Sequence, residues 1–155
     1  MNKIAKLATT LVGVSGEYFV AAELSRRGYI ASITLRNTRG IDVLAANADA
    51  SKSVGIEVKT NNTKKKDWML GEKAEEACSD SHFYVFVNLS DAGSAPEFHV
   101  VPSKDVADYV SMDHKKWKDS LDRHGKPHGP SGIRKFRDPL GKYLGKWESL
   151  GLGES

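Results

Sequence analysis

Residues 54–60 read Val-Gly-Ile-Glu-Val-Lys-Thr, a run of β-formers with two opposite charges set into it. Side chains on a strand alternate between faces, so Glu57 and Lys59 share one face while Ile56 and Val58 share the other. The pair reads in two ways. It is an ion pair on the wet face of a half-exposed strand, or a carboxylate and an ammonium held side by side on rigid backbone for chemistry. The surrounding segments decide between them.

Immediately upstream, residues 41–46 (Ile-Asp-Val-Leu-Ala-Ala) form a second short strand, separated from residues 53–60 by the turn-rich Asn-Ala-Asp-Ala-Ser-Lys. The short separation predicts an antiparallel hairpin. Asp is depleted in strands, so Asp42 needs a reason to interrupt an apolar run. Residues 10–27 predict an amphipathic helix with Leu11, Val14, Val20, Ala21 and Leu24 inward and a stop at Gly28. Glu17 falls on that apolar stripe, where a carboxylate is out of place unless it pairs with Arg26 or Arg27 or serves a site.

The remaining pattern gives a strand over 29–35, a polar loop over 61–67, a helix over 69–79 and a nearly continuous apolar strand over 82–89. A shorter strand follows over 96–102, then a helix over 103–110 capped by Ser103, and a further helix over 113–124. Helix, three strands, helix, two strands and helix in that order predict an α/β fold, a three-layer sandwich around a central mixed sheet. We place a core domain at 1–124 and a basic, partly flexible C-terminal extension at 125–155, its last residues loose.

The chain of 155 residues has room for one core, and its single cysteine, Cys78, rules out an internal disulfide and a cysteine-rich zinc site. His114, His124 and His128, with no cysteine near, do not make a zinc site either. A reducing, cytoplasmic setting is expected. No apolar run reaches membrane-spanning length, and no glycine-rich phosphate loop of a nucleotide-binding fold is present. The net charge is +3, but residues 113–147 hold ten Lys or Arg against four Asp or Glu, a net of +6 that leaves −3 for the rest. A basic region beside a mildly acidic body points to a polyanionic partner or to a lysine-rich solvated surface.

If the hairpin sets Asp42 near Glu57, two carboxylates converge. Their repulsion is relieved by a hard cation such as Mg²⁺ or Mn²⁺, bound through oxygen. Lys59 then stands beside them to orient or deprotonate an attacking water, an arrangement suited to phosphodiester hydrolysis. A helix Glu followed by a strand Asp and Glu-x-Lys resembles the active site of the restriction-endonuclease-like, PD-(D/E)xK nuclease superfamily. The matching residues are Glu17 in Gly-Val-Ser-Gly-Glu-Tyr, Asp42 in Arg-Gly-Ile-Asp-Val-Leu-Ala, and Glu57 with Lys59 in Gly-Ile-Glu-Val-Lys-Thr. The similarity is greatest to small stand-alone members near the Holliday-junction-resolvase branch. Gly40-Ile41 stands where the nominal motif has a proline, and no Gln-x-x-x-Tyr helix follows the hairpin.

The resemblance implies an Mg²⁺- or Mn²⁺-dependent nuclease. Asp42, Glu57 and the Val58 carbonyl would hold the ion, Lys59 would serve the water, and Glu17 would assist indirectly or at a second metal. The partner implied is nucleic acid, double-stranded or branched DNA, cut by a homodimer. Phosphate contacts are expected from Arg36 and Arg39 before Asp42, from Lys64, Lys65 and Lys66 after the catalytic strand, and from Lys115, Lys116, Lys118, Arg134, Lys135 and Arg137 in the basic region. Two alternatives keep the fold without the reaction: a catalytically silent nucleic-acid-binding module, and a phage or plasmid interaction or inhibitor protein.

Overall fold

The computed structural model describes residues 8–35, 39–76 and 79–153. Its elements are helix α1 (Thr9–Arg26), strands β1 (Ile30–Ile33), β2 (Val43–Ala46), β3 (Ser53–Asn61), β4 (Asp67–Gly71), β5 (His82–Asn88) and β6 (Glu97–Pro102), helix α2 (Ser103–Asp119) and strand β7 (Ile133–Arg137). Five strands form one mixed sheet in the order β1-β2-β3-β5-β6. All its pairings are antiparallel except β3 with β5. The expected β2–β3 hairpin is present, with Val43 opposite Ile56.

Alternation along β3 and β5 builds a core on each face. Val54, Ile56, Val58, Phe83, Val85 and Val87 point to the side of α1, where Val20 and Leu24 meet them. Tyr84 and Phe86 point to the other side and pack with Val106 and Val110 of α2 and with Trp68, Leu70 and Phe136 of the small β4–β7 sheet. The result is a three-layer sandwich with the mixed sheet in the middle, as the sequence pattern predicts.

Helix α1 ends in a Schellman motif. The Gly28 N–H donates to the Ser25 carbonyl, the Tyr29 N–H donates to the Leu24 carbonyl, and Gly28 takes a positive φ of 87° that a side chain would resist. Its inner face is Val12, Gly16, Val20 and Leu24 rather than a stripe led by Leu11, which is 54% exposed. Gly16 is where the helix touches the sheet. A Cβ there would stand 1.8 Å from the Thr60 Oγ1 of β3, so only glycine admits this approach.

Three expectations are corrected. Residues 67–71 are a strand, followed by a 3-10 turn at Glu72–Glu75, rather than a helix over 69–79; Ala77 and Cys78 lie outside the described residues. Trp68 and Leu70 point inward two residues apart, and the strand's partner is β7, with Leu70 opposite Arg134. The two helices expected over 103–110 and 113–124 are one continuous helix ending at Asp119, since nothing between Val110 and Asp113 breaks it. Ser103 does not cap that helix from outside; it is the first helical residue and its hydroxyl donates to the Ser79 carbonyl.

After residue 124 the chain returns to the body. Phe136 enters the α2-side core, and Trp147, Leu150 and Leu152 enter the α1-side core. Buried Asp138 ties this return down. It accepts from His99 Nδ1 at 2.6 Å and from the backbone N–H groups of Lys142 and Tyr143. The end of the chain is therefore held as far as Gly153, whose carbonyl accepts from the Tyr29 hydroxyl. Among the described residues no helix is long and apolar enough to cross a membrane.

Candidate active site

The site begins with an irregularity in the hairpin. Val43 pairs with Ile56, yet the Asp42 N–H also reaches the Ile56 carbonyl, at 2.8 Å. Two successive residues thus face one, the arrangement of a β-bulge, which re-aims the side chain it carries. The Asp42 carboxylate swings to the adjacent strand and accepts the Val58 N–H at 2.7 Å. Val58 lies past the last β2–β3 pair, so the carboxylate takes the place of a missing strand carbonyl. In a strand the carbonyl of a residue leaves on the same side as its N–H, which sets the Val58 carbonyl toward Asp42 as well.

The turn before Asp42 is clamped from two sides. Thr34, just past β1, donates its hydroxyl to the Ile41 carbonyl at 2.6 Å and its N–H to the Asp42 carbonyl at 2.9 Å. On the other side His82 Nε2 lies 2.7 Å from the Gly40 carbonyl. A ring nitrogen facing a carbonyl oxygen must donate, so His82 carries its proton on Nε2. Its Nδ1 is buried without a hydrogen-bond partner among the described residues. Gly40 holds a φ of 68°, the left-handed conformation that glycine supplies at least cost.

Glu57 and Lys59 share the face of Tyr84 and Phe86, and Lys59 Nζ contacts Glu57 Oε1 at 2.7 Å. They line a cavity of about 290 Å³ together with Arg39, Lys73, Glu76 and His82. Glu17 and Asp42 line a neighbouring cavity of about 220 Å³ with Thr9, Thr10 and Thr34. Arg26 and Arg27, the conceivable local partners of Glu17, pair with Glu23 instead. The four residues therefore line two cavities as two pairs, with the Val58 N–H, between Glu57 and Lys59 in the chain, bonded to Asp42. They remain electrostatically linked. Burial pushes the Asp42 carboxyl above its ordinary value, the Val58 N–H pulls it back, Glu57 pushes it up and Lys59 pulls it back, with a net upward shift.

Among the described residues no three His, Cys, Asp or Glu side chains gather closely enough to hold a metal ion by themselves. A cation here would draw on two carboxylates plus a backbone carbonyl. That donor chemistry suits a hard divalent ion, since it is all oxygen and contains no sulfur. The raised Asp42 carboxyl, partly burdened by the Glu57 charge, is the kind of group a cation relieves.

The remaining basic residues are scattered over several surfaces. Arg36 lies outside the described residues. Arg39 lines the Glu57–Lys59 cavity. Lys64 pairs with Asp91 at 3.2 Å and Lys66 with Glu97 at 3.9 Å, while Lys65 is exposed. Lys115, Lys116 and Lys118 are exposed on the last turns of α2, as is Lys135 on β7. Arg137 pairs with Asp113 at 2.7 Å. Arg134 turns inward, its guanidinium held by Glu75 and by the Ser131 carbonyl. Sequence reading missed His82, hidden at the head of an apolar strand, and its one signal is a polar residue directly before Phe-Tyr-Val-Phe-Val.

No family model and no curated protein matches the chain. Solved structures do. One is Hjc of Archaeoglobus fulgidus, a Holliday junction resolvase from an archaeal hyperthermophile, at 15% identity over 92% of this chain and 98% of that one, with a TM-score of 0.50. Another is the bacterial homing endonuclease I-Ssp6803I, at 13% identity over 95% of this chain and 93% of that one, with a TM-score of 0.54. The similarity extends over nearly the whole length in both cases and is a similarity of fold.

Proposed function

We propose that the chain is a metal-dependent nuclease that hydrolyses phosphodiester bonds in double-stranded or branched DNA. One observation carries the reading. A bulge at Asp42 aims its carboxylate at the Val58 N–H, between a glutamate and a lysine that contact each other at 2.7 Å on the next strand. An ion pair that merely decorates a wet strand needs no such bulge beside it. The two solved structures of similar fold are a Holliday junction resolvase and a homing endonuclease, which supports the same class of reaction.

In this reading Asp42, Glu57 and the Val58 carbonyl hold Mg²⁺ or Mn²⁺. Bound there, the ion supplies Lewis-acid chemistry at the phosphate and favours ionisation of water. Glu57 keeps the Lys59 ammonium at the mouth of its cavity, where it orients an attacking water and meets the charge that develops on the phosphate. Glu17 orients water from the Asp42 side. Arg39 lies in the Lys59 cavity and holds the phosphate being cut. His82 acts through Gly40 as a positioning residue.

The test is cleavage of duplex, nicked, four-way-junction and single-stranded DNA, and of RNA, with Mg²⁺, Mn²⁺ or a chelator. Cleavage should require the ion, and Lys59→Ala should abolish it while nucleic-acid affinity stays nearly intact. Binding without cleavage under every metal would replace this reading with the silent module. Neither binding nor cleavage would leave a protein-interaction role for the basic surface.

A further inference from the structure

A third cavity, of about 450 Å³, lies between the C-terminal half of α2 and β7. Its wall combines the rings of His114 and Trp117 with the cations of Lys116, Lys135 and Arg137. The rings are ordered. His114 stacks on Trp117 with centroids 5.3 Å apart and planes at 27°. His128 also stacks on Trp117, at 4.2 Å and 25°, without itself lining the cavity. Trp117 is 37% exposed, whereas Trp68 and Trp147 are each 3% exposed. It is therefore the tryptophan that a ligand can reach.

The charges are ordered too. Asp113, the one carboxylate in the wall among the described residues, is taken by Arg137 at 2.7 Å. Lys116 and Lys135 have no carboxylate partner among the described residues. A flat aromatic surface with two uncommitted ammonium groups at its rim matches a flat ring that carries an anion, which is the chemistry of a nucleotide. A paired base inside a duplex cannot offer its face to a side chain; an unpaired one can. The cavity lies one strand pairing away from the candidate active site. Leu70 and Gly71 line the Glu57–Lys59 cavity, and their strand partners Arg134 and Ile133 line this one.

We infer that this cavity receives an unpaired nucleotide of the nucleic acid, its base packed against the exposed part of the Trp117–His114 ring cluster and its phosphate on Lys116 and Lys135. The substrate class that follows is DNA with unpaired nucleotides beside the scissile bond, such as a branched, gapped or single-stranded form, in preference to an intact duplex. This rests on the nuclease reading for its scissile bond, but the cavity itself is tested apart from cleavage.

The experiment is a titration of the full chain, in chelator, with a single-stranded oligodeoxynucleotide and with the matching blunt duplex, followed by tryptophan emission and by anisotropy of a labelled strand. The single strand should quench emission, and Trp117→Phe should remove most of that quench because the other two tryptophans are buried. Trp117→Ala should lower the ratio of single-strand to duplex affinity about tenfold or more, as loss of a stacking platform does. Lys135→Gln should weaken single-strand binding and flatten its salt dependence by about one unit. A quench that survives in Trp117→Phe, or an affinity ratio unchanged in a Trp117→Ala protein of native circular dichroism, overturns the inference even if Lys59-dependent cleavage is observed. Quenching through Trp117 with no cleavage of any substrate keeps the cavity and removes the nuclease. Quenching by an acidic peptide but not by the single strand overturns the nucleotide assignment.

Discussion

His82 Nε2 and the Gly40 carbonyl, 2.7 Å apart across 42 positions of sequence, bind the head of β5 to the turn that delivers Asp42. The interior of the sheet thus fixes a loop whose own sequence, Arg-Gly-Ile, has little to hold it. His82→Ala should lower stability by about 1–3 kcal/mol, through the lost hydrogen bond to the turn and the cavity left by a buried ring. It should lower cleavage by more than that loss of folded protein explains. Denaturant midpoints and rates measured on the same samples separate the two, and an unchanged rate would remove His82 from the site.

Asp42 should behave as a group that function keeps at the expense of stability. Its carboxyl sits above the ordinary value of 3.8, mainly through burial. A raised carboxyl favours the folded state when protonated, so its contribution is complete below 3.8 and is lost as pH rises through the folded value. Without divalent metal, Asp42→Asn should therefore melt higher than the parent at neutral pH, and the gap should close toward pH 3.8. Mg²⁺ or Mn²⁺ should raise the melting temperature of the parent and not of the variant. A variant that melts lower at neutral pH, or responds equally to metal, would contradict both parts.

Asp138 should show the opposite sign. Burial works to raise its carboxyl, but the hydrogen bonds from His99, Tyr143 and Lys142 together hold it below the usual 3.8. Its contribution is present above 3.8 and fades as pH falls through the folded value. Asp138→Asn should cost about 1.5–3 kcal/mol at neutral pH, the scale of a hydrogen bond to a charged group. Parent and variant should converge in acid. Equal stability at neutral pH would mean the carboxylate is dispensable.

Gly16→Ala should destabilise by about 1–3 kcal/mol through overpacking, although alanine is the better helix former. The added Cβ would meet Thr60 Oγ1 at 1.8 Å and Thr60 Cβ at 2.9 Å. Because Glu17 follows directly, displacement of α1 should also reduce cleavage. Thr60→Ala in the Gly16→Ala background should recover part of the loss, and a double-mutant cycle gives the coupling. Simple additivity would show that the contact is not the cause.

Much of this arrangement is legible in the sequence because it is local. The helix stop at Gly28, the hairpin around Asn47–Lys52 and the alternation through Val54–Thr60 each depend on residues close together in the chain. What escapes is non-local. Asp67–Gly71 is a strand because Ile133–Arg137 pairs with it, and Met69, Leu70 and Ala74 alone imitate a helical face. Trp147, Leu150 and Leu152 sit in a glycine-rich tail that reads as loose until the groove they fill is known. At the site, residue types and order are readable from the motif. The bulge at Asp42 and the His82 clamp are not, since each depends on one hydrogen bond between residues far apart in the chain.

The lodging of Trp147, Leu150 and Leu152 in the α1-side core also sets a timetable for biosynthesis. A nascent chain that has extruded α1 and all five strands of the main sheet still lacks the plug for their shared interior. The α1-side cluster stays incomplete, with part of its apolar surface open to water and to chaperones, until Trp147, Leu150 and Leu152 dock. A chain stopped after Gly145 should accordingly bind a hydrophobic dye that the full chain ignores. Folding of the α1-side core is then a two-step event, in which the sheet forms first and the Trp147–Leu152 segment closes it afterwards.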